Sequence, residues 1–190
     1  MIIGVCGTFA AGKDAVAEYL ATKGFLHVST GDLLRAYIQK HQLGSLERDN
    51  LRIVANKIRA EKGGGYFAEL ALGRTRQPLV VSGIRTVGEV AALRQAGGHL
   101  IAVDAPINRR YQWAKGRGRL DHVTSVDDFK RQELAEEGHS PTDSQITIVI
   151  SMANFNIAND GTLEQLHAKI DEVLERYHIT NVKGQSSNGK

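Results

Sequence analysis

Near the start of the chain, Gly7-Thr8-Phe9-Ala10-Ala11-Gly12-Lys13 sets two glycines and a lysine in the spacing Gly-x4-Gly-Lys. The chemistry of that pattern is anion capture. Glycines let successive backbone N–H groups converge on one cluster of oxygens, a helix opening behind them adds its positive end, and the lysine ammonium reaches the outer phosphates. A nucleoside triphosphate is the ligand such a loop favours. Gly7, Ala10, Ala11, Gly12, Lys13, Asp14 and Ala15 are therefore the candidate contacts to ATP. Asp14 departs from the usual Ser or Thr, whose hydroxyl holds Mg²⁺; a carboxylate can ligate the same ion only against its repulsion from phosphate.

The flanking residues supply the elements this loop needs. Ile2-Ile3-Gly4-Val5-Cys6 reads as a strand and the run from Asp14 to Leu20 as a helix, so the loop sits between them. Phe25–Ser29 reads as a second strand, closing one crossover unit of a parallel sheet. Ser29-Thr30-Gly31-Asp32 caps a helix over Leu33–Ile38, and a further helical run from Leu46 to Lys62 aligns Leu51, Val54, Ala55 and Ile58 on one face. After Gly63-Gly64-Gly65 and a short helix at Tyr66–Leu72, Pro78–Gly83 reads as a buried strand whose carboxyl end faces the phosphates. Val87–Gln95 is helical and His99–Asp104 a strand, stopped by Ala105-Pro106. Ile107–Gly116 is a helix, and Val126–Glu137 is a polar helix with little apolar stripe, which reads as a flap rather than core. Ser140–Ser144 is a loop, Ile146–Met152 fits either a strand or a short helix, Phe155–Asn159 is a last strand, and Leu163–Tyr177 an amphipathic helix capped at Asp160-Gly161-Thr162. Lys183–Lys190 has the composition of a mobile tail.

A chain of 190 residues fits one domain with a sizeable core, and its net charge of +3 is explained by phosphate ligands without nucleic acid. The single cysteine, Cys6, lies in an apolar strand; it excludes an intramolecular disulfide and points to a reducing, cytoplasmic setting. No apolar run approaches the roughly 20 residues of a membrane span.

His27-Val28-Ser29-Thr30-Gly31-Asp32-Leu33-Leu34-Arg35 resembles the adenylate-kinase segment that receives a monophosphate, and it stands at that family's distance behind the phosphate loop. The resemblance implies that Thr30, Gly31, Asp32 and Arg35 bind the acceptor. Ser82-Gly83-Ile84-Arg85 resembles the family's Asp-Gly-x-x-Arg element, one residue short, which gives Arg85 a second grip on acceptor phosphate. The family's magnesium-organising aspartate is Ser82 here. Asp14 and Ser82 together look like an exchange, with a carboxylate moved to the phosphate loop and a hydroxyl in its former place. Trp113-Ala114-Lys115-Gly116-Arg117-Gly118-Arg119, then Lys130-Arg131, resembles the lid whose arginines close on the transferring phosphoryl group. Trp113 falls where many members stack an arginine on the ATP adenine, and Asn159-Asp160-Gly161-Thr162 falls where the loop after the last strand brushes the donor base.

The whole therefore resembles a P-loop nucleoside monophosphate kinase, closest to archaeal kinase-like proteins of uncertain substrate, and is similar also to dephospho-coenzyme A kinase and viral deoxynucleotide kinases. The implied fold is α/β: a P-loop NTPase three-layer α/β/α sandwich on a parallel five-stranded sheet, with a helical acceptor-binding module and a short lid. A single domain is expected over 1–182, with core 1–29, 78–106 and 146–182, acceptor module 30–77, lid 117–140 and tail 183–190. The implied reaction is transfer from ATP·Mg²⁺ to a nucleoside or deoxynucleoside monophosphate, with Lys13, Arg85, Arg117, Arg119 and Arg131 catalytic. Small-molecule nucleotides are the expected partners, with no nucleic acid or membrane, in a monomer or homodimer. Two rivals stand beside it: a dephospho-coenzyme A kinase, whose hydroxyl acceptor would need Asp32 as base, and a nucleotide-binding regulatory protein with little transfer.

Overall fold

A computed structural model describes residues 1–73, 78–116, 123–138, 140 and 143–186, with 136 and 177–186 described through the backbone alone. Apolar runs at Ile2–Gly7 (β1), Leu26–Ser29 (β2), Leu79–Ser82 (β3), His99–Asp104 (β4) and Phe155–Ala158 (β5) pair into one parallel sheet in the order β2-β3-β1-β4-β5. Ile3 sits opposite Val80 on one side and His99 on the other, which fixes β1 at the centre.

Alternate residues of these strands face opposite layers, as a pleat buried on both faces requires. Ile3, Val5, Val80, Ile101, Val103 and Ile157 pack against helices α1 (Lys13–Thr22) and α9 (Leu163–Ser186) through Val16, Leu20, Leu166 and Ile170. Cys6, Leu79, Val81, Leu100 and Ala102 pack on the other face against α2 (Thr30–His41), α3 (Arg48–Lys62), α4 (Tyr66–Leu72), α5 (Val87–Gln95) and α8 (Ile146–Ser151). The three-layer α/β/α sandwich expected from the sequence is the architecture found. Burial holds the Cys6 thiol up at about 12, an inert core group.

Several expectations are refined. The ambiguous run at 146–152 is helix α8, with Val149 buried under the sheet. α9 continues past Tyr177 to Ser186, so the first half of the expected tail is helical; 187–190 lie outside the described residues. The flap reading of Val126–Glu137 needs correction. Helix α7 (Val126–Glu136) carries a fully buried Phe129, which packs with Tyr111 and Ala114 of α6 (Ile107–Gly116) and with Phe9 of the phosphate loop, forming a third small core. One aromatic in a polar helix is enough because its neighbours supply the rest of the apolar surface.

Candidate active site

The phosphate loop is the bend between β1 and α1, and its shape follows from two glycines. Gly7 has φ +146°, and a Cβ there would lie 2.0 Å from the Val103 carbonyl oxygen of β4. Gly12 has φ +98° and closes the loop as the N-cap of α1. Between them Ala10 takes a left-handed φ of 59°, and the main chain curls back on itself, with Ala11 N–H donating to Thr8 O at 3.3 Å.

Lys13 reaches back across this curl, its Nζ donating to the carbonyl oxygens of Gly7 at 2.9 Å and Thr8 at 2.5 Å. Burial, with the charge of Arg85 added to it, pushes the ammonium down to about 7, while Asp14, Cys6 and Glu133 pull the other way. Asn159 seals the back of the loop: its side-chain amide donates to Ala11 O at 2.9 Å, and its backbone N–H to Asp104 O at 2.7 Å. Asp160, beside it, is an exposed partner of Lys169.

One cleft of about 890 Å³ opens from this loop along the carboxyl ends of β2 and β3. Ala10, Gly12, Lys13 and Asp14 line one end of it; Thr30, Asp32, Arg35, Ser82 and Arg85 line the other. The turn after β3 is held in place by Thr30 Oγ1, which donates to Gly83 O at 2.8 Å, and by Gly83 N–H, which donates to Val5 O at 3.0 Å. Ser82 is buried, its Oγ 2.8 Å from Nε2 of His27. Arg35 is tied to Asp32 at 2.8 Å, one turn back on α2, and Gly31 lies under that pair, where a Cβ would come 3.2 Å from Arg35 Nη1.

Other expected residues lie elsewhere. Trp113 is half-buried on α6 and does not line the cleft, and Arg131 is an exposed partner of Asp128 on α7, also away from it. That arginine, with Thr124 and Ser125 behind it, holds the Asp128 carboxyl well below the usual range. Arg117 and Arg119 lie outside the described residues.

The cleft also contains groups the sequence reading did not assign. Helix α3 turns Arg48, Arg52, Asn56 and Arg59 toward it, and the Arg48 guanidinium sits 3.7 Å from the centre of the Phe9 ring. Arg59 is buried and paired at 3.2 Å with Glu89, a carboxylate with no exposed surface. Glu89 also accepts from the backbone N–H of Arg85 at 2.7 Å and of Thr86 at 3.3 Å, the second half of a capping box on α5. The Thr-x-x-Glu spacing at 86–89 was a readable signal for that cap. Its link to Arg59, 30 residues away, was not.

Comparison with known proteins agrees with this geometry at the level of family and fold. No family model matches the chain. A UPF0200 protein of Thermococcus gammatolerans is 32% identical over 186 residues, covering 93% of this chain and 95% of that one. The chain belongs to the UPF0200 family. Another UPF0200 protein, from Methanosarcina mazei, is 28% identical with 93% and 95% covered. Among solved structures, TT1252 from Thermus thermophilus matches this UPF0200 chain with a TM-score of 0.62 at 21% identity, over 93% of this chain and 97% of that one. Shikimate kinase from Acinetobacter baumannii, in complex with shikimate, matches with a TM-score of 0.60 at 16% identity, over 93% of each chain. The UPF0200 chain thus has the P-loop kinase fold. Among its described residues no helix is long and apolar enough to cross a membrane.

Proposed function

We propose that this protein is an ATP-dependent phosphotransferase whose acceptor is a nucleoside or deoxynucleoside monophosphate. One observation carries the reading: Lys13 with its loop amides and the two arginines Arg35 and Arg85 line the same cleft, so donor and acceptor phosphates would meet inside it. Phosphoryl transfer needs little covalent help from the protein, and depends on positioning and on stabilising charge spread over the transferring oxygens. Lys13 and the amides of residues 10–15 hold the donor phosphates. Arg35 and Arg85, with Thr30, Gly31 and Asp32 shaping the turn, hold the acceptor. The attacking phosphate oxygen is already ionised, so no general base is required.

Magnesium enters as part of the substrate ATP·Mg²⁺. The residues present fit it: the Asp14 carboxylate and the Ser82 hydroxyl, both lining the cleft, are the hard oxygen donors this ion takes. When bound, it neutralises charge on the β- and γ-phosphates. Asp14 in the role usually given to a loop hydroxyl, and Ser82 in that usually given to a strand-end carboxylate, is the exchange read from the sequence. We assign closure over the phosphoryl group to Arg117, Arg119 and Arg131 of the lid, which requires Arg131 to leave Asp128 when nucleotide binds. Trp113, Asn159 and Asp160 are assigned to the donor nucleoside side, with Asn159 acting through the loop it braces. The single buried thiol suits a reducing cytoplasm.

A hydroxyl acceptor is the second reading, favoured by the Asp32 carboxylate lining the cleft at the head of α2. Its pairing with Arg35 favours the first reading, because that carboxylate is then engaged in orienting a phosphate-binding arginine. The test is ATP consumption by the purified chain with a panel of monophosphates and dephospho-coenzyme A. Diphosphate product from a monophosphate is expected. ATP binding without transfer to any monophosphate would overturn the proposal, and turnover of dephospho-coenzyme A that collapses in Asp32→Asn would replace it with the second reading.

A further inference from the structure

The tip of the phosphate loop is not free. Phe9 donates its backbone N–H to Glu133 Oε1 on α7 at 3.1 Å, and its backbone carbonyl accepts from Arg110 Nη1 on α6 at 3.2 Å. Arg110 in turn pairs with the same Oε1 of Glu133, while its Nε donates to Ala105 O at 2.9 Å at the end of β4. Both backbone polar groups of Phe9, which belong to two consecutive loop peptides, are therefore held by a single ion pair between α6 and α7. The side chain of Arg110 is 8% exposed and that of Glu133 20%, so this pair is shielded from the water that would weaken a surface bridge. The Phe9 ring is held as well, tilted against Phe129 of α7 at 5.5 Å and with the Arg48 guanidinium of α3 at 3.7 Å from its centre.

We propose that Glu133 is a positioning residue of the phosphate site, its one shared carboxylate oxygen locking the tip of the phosphate loop to the lid-side helices in the shape that receives a polyphosphate. The inference rests on the phosphotransferase reading for what the loop holds. Its physical basis is preorganisation. A glycine-rich loop with left-handed residues at 10 and 12 loses conformational freedom when phosphate orders it, and a loop already pinned at Phe9 has less to lose. Because the pin holds the loop without touching the transferring phosphoryl group, its effect falls on donor binding and not on the chemical step. The aromatic contact cannot do this alone, since it fixes the ring and leaves the peptide free to rotate. Removing the carboxylate leaves Arg110 with Asp104 Oδ1 at 3.8 Å and the carbonyls of Ala105 and Phe9, so the loop keeps its link to α6 and loses its link to α7.

The experiment compares wild type, Glu133→Ala and Glu133→Gln in the full chain by ATP·Mg²⁺ titration calorimetry, steady-state kinetics and amide hydrogen exchange at Phe9. Glu133→Ala is expected to weaken ATP·Mg²⁺ binding about tenfold, the order of one lost charge-assisted hydrogen bond, with kcat changed less than about twofold. Its Phe9 amide is expected to exchange at least about tenfold faster. Glu133→Gln, which keeps an acceptor oxygen in place, is expected to restore affinity and protection to within about threefold of wild type. Phe129→Leu controls for helix packing: it lowers the melting temperature and leaves Phe9 exchange slow. Wild-type affinity and exchange in Glu133→Ala would overturn the inference, as would equal losses in the alanine and glutamine variants. The exchange and calorimetry arms need no turnover, so a chain that binds ATP and transfers to no monophosphate would defeat the proposed reaction while leaving the latch to be judged on its own.

Discussion

In the proposed reaction Lys13 would have to be charged to hold phosphate, yet burial beside Arg85 lowers its proton affinity, from the ordinary 10.5 to about 7. The sign follows from counting protons. Between these two values the unfolded chain binds a proton that the free folded protein does not, so the stability of the nucleotide-free protein rises with pH across that window, and falls as pH drops toward 7 and the buried ammonium charges. A polyphosphate reverses the local field and returns the proton. At about pH 8, ATP binding should therefore take up protons, which calorimetry in buffers of different ionisation enthalpy will detect, and affinity should decline as pH rises above about 7. Binding heats independent of buffer would contradict this. Glu89 makes a second prediction at the same scale. Its buried carboxylate compensates Arg59 and fixes the Arg85 and Thr86 amides. Glu89→Ala leaves that guanidinium buried and unpaired, and should cost about 3–5 kcal/mol in urea unfolding.

Between elements, the closest constraint is at Gly7, where β1 passes against Val103 of β4 with no room for a side chain. Gly7→Ala must push the strand end off its neighbour or bend the loop, so the variant should lose ATP binding and melt at a lower temperature, read by calorimetry and thermal unfolding. Much at this scale was legible from the sequence, because the signals were local. Two glycines and a lysine at fixed spacing between an apolar run and a helix need no distant partner to be read, and the same holds for Ser29 capping α2, where its Oγ accepts from Asp32 N–H at 3.2 Å. Ile146–Met152 fits either helix or strand in the sequence because its largely apolar run carries no clear period. The core of α7 was missed because Phe129 finds its partners on α6 and on the phosphate loop, not along its own helix. The Glu133 contact to Phe9 bridges 124 residues, a separation at which a polar residue in a polar helix looks like any other. Trp113 matches a family position by resemblance alone, and it stands half-buried on α6 outside the cleft lining.

At the scale of the molecule, the parallel sheet brings the ends of β1, β2 and β3 to one edge, and the cleft there is where the phosphate loop, the turn after β3 and the basic face of α3 meet. Strand order puts β3 between β1 and β2, so Arg85 leaves the sheet between the phosphate loop and α2. The central claim is that this one cleft holds donor and acceptor phosphates together. Its most direct test is equilibrium binding of a bisubstrate analogue, two nucleosides joined by five phosphates, compared with ATP·Mg²⁺. The analogue is expected to bind at least about a hundredfold more tightly than ATP, because both half-sites are filled at the entropic cost of one ligand. Lys13→Ala is expected to weaken both ligands, while Arg85→Ala removes the analogue's advantage and leaves ATP affinity nearly unchanged. An analogue that binds no more tightly than ATP, or whose advantage survives Arg85→Ala, would contradict the central claim.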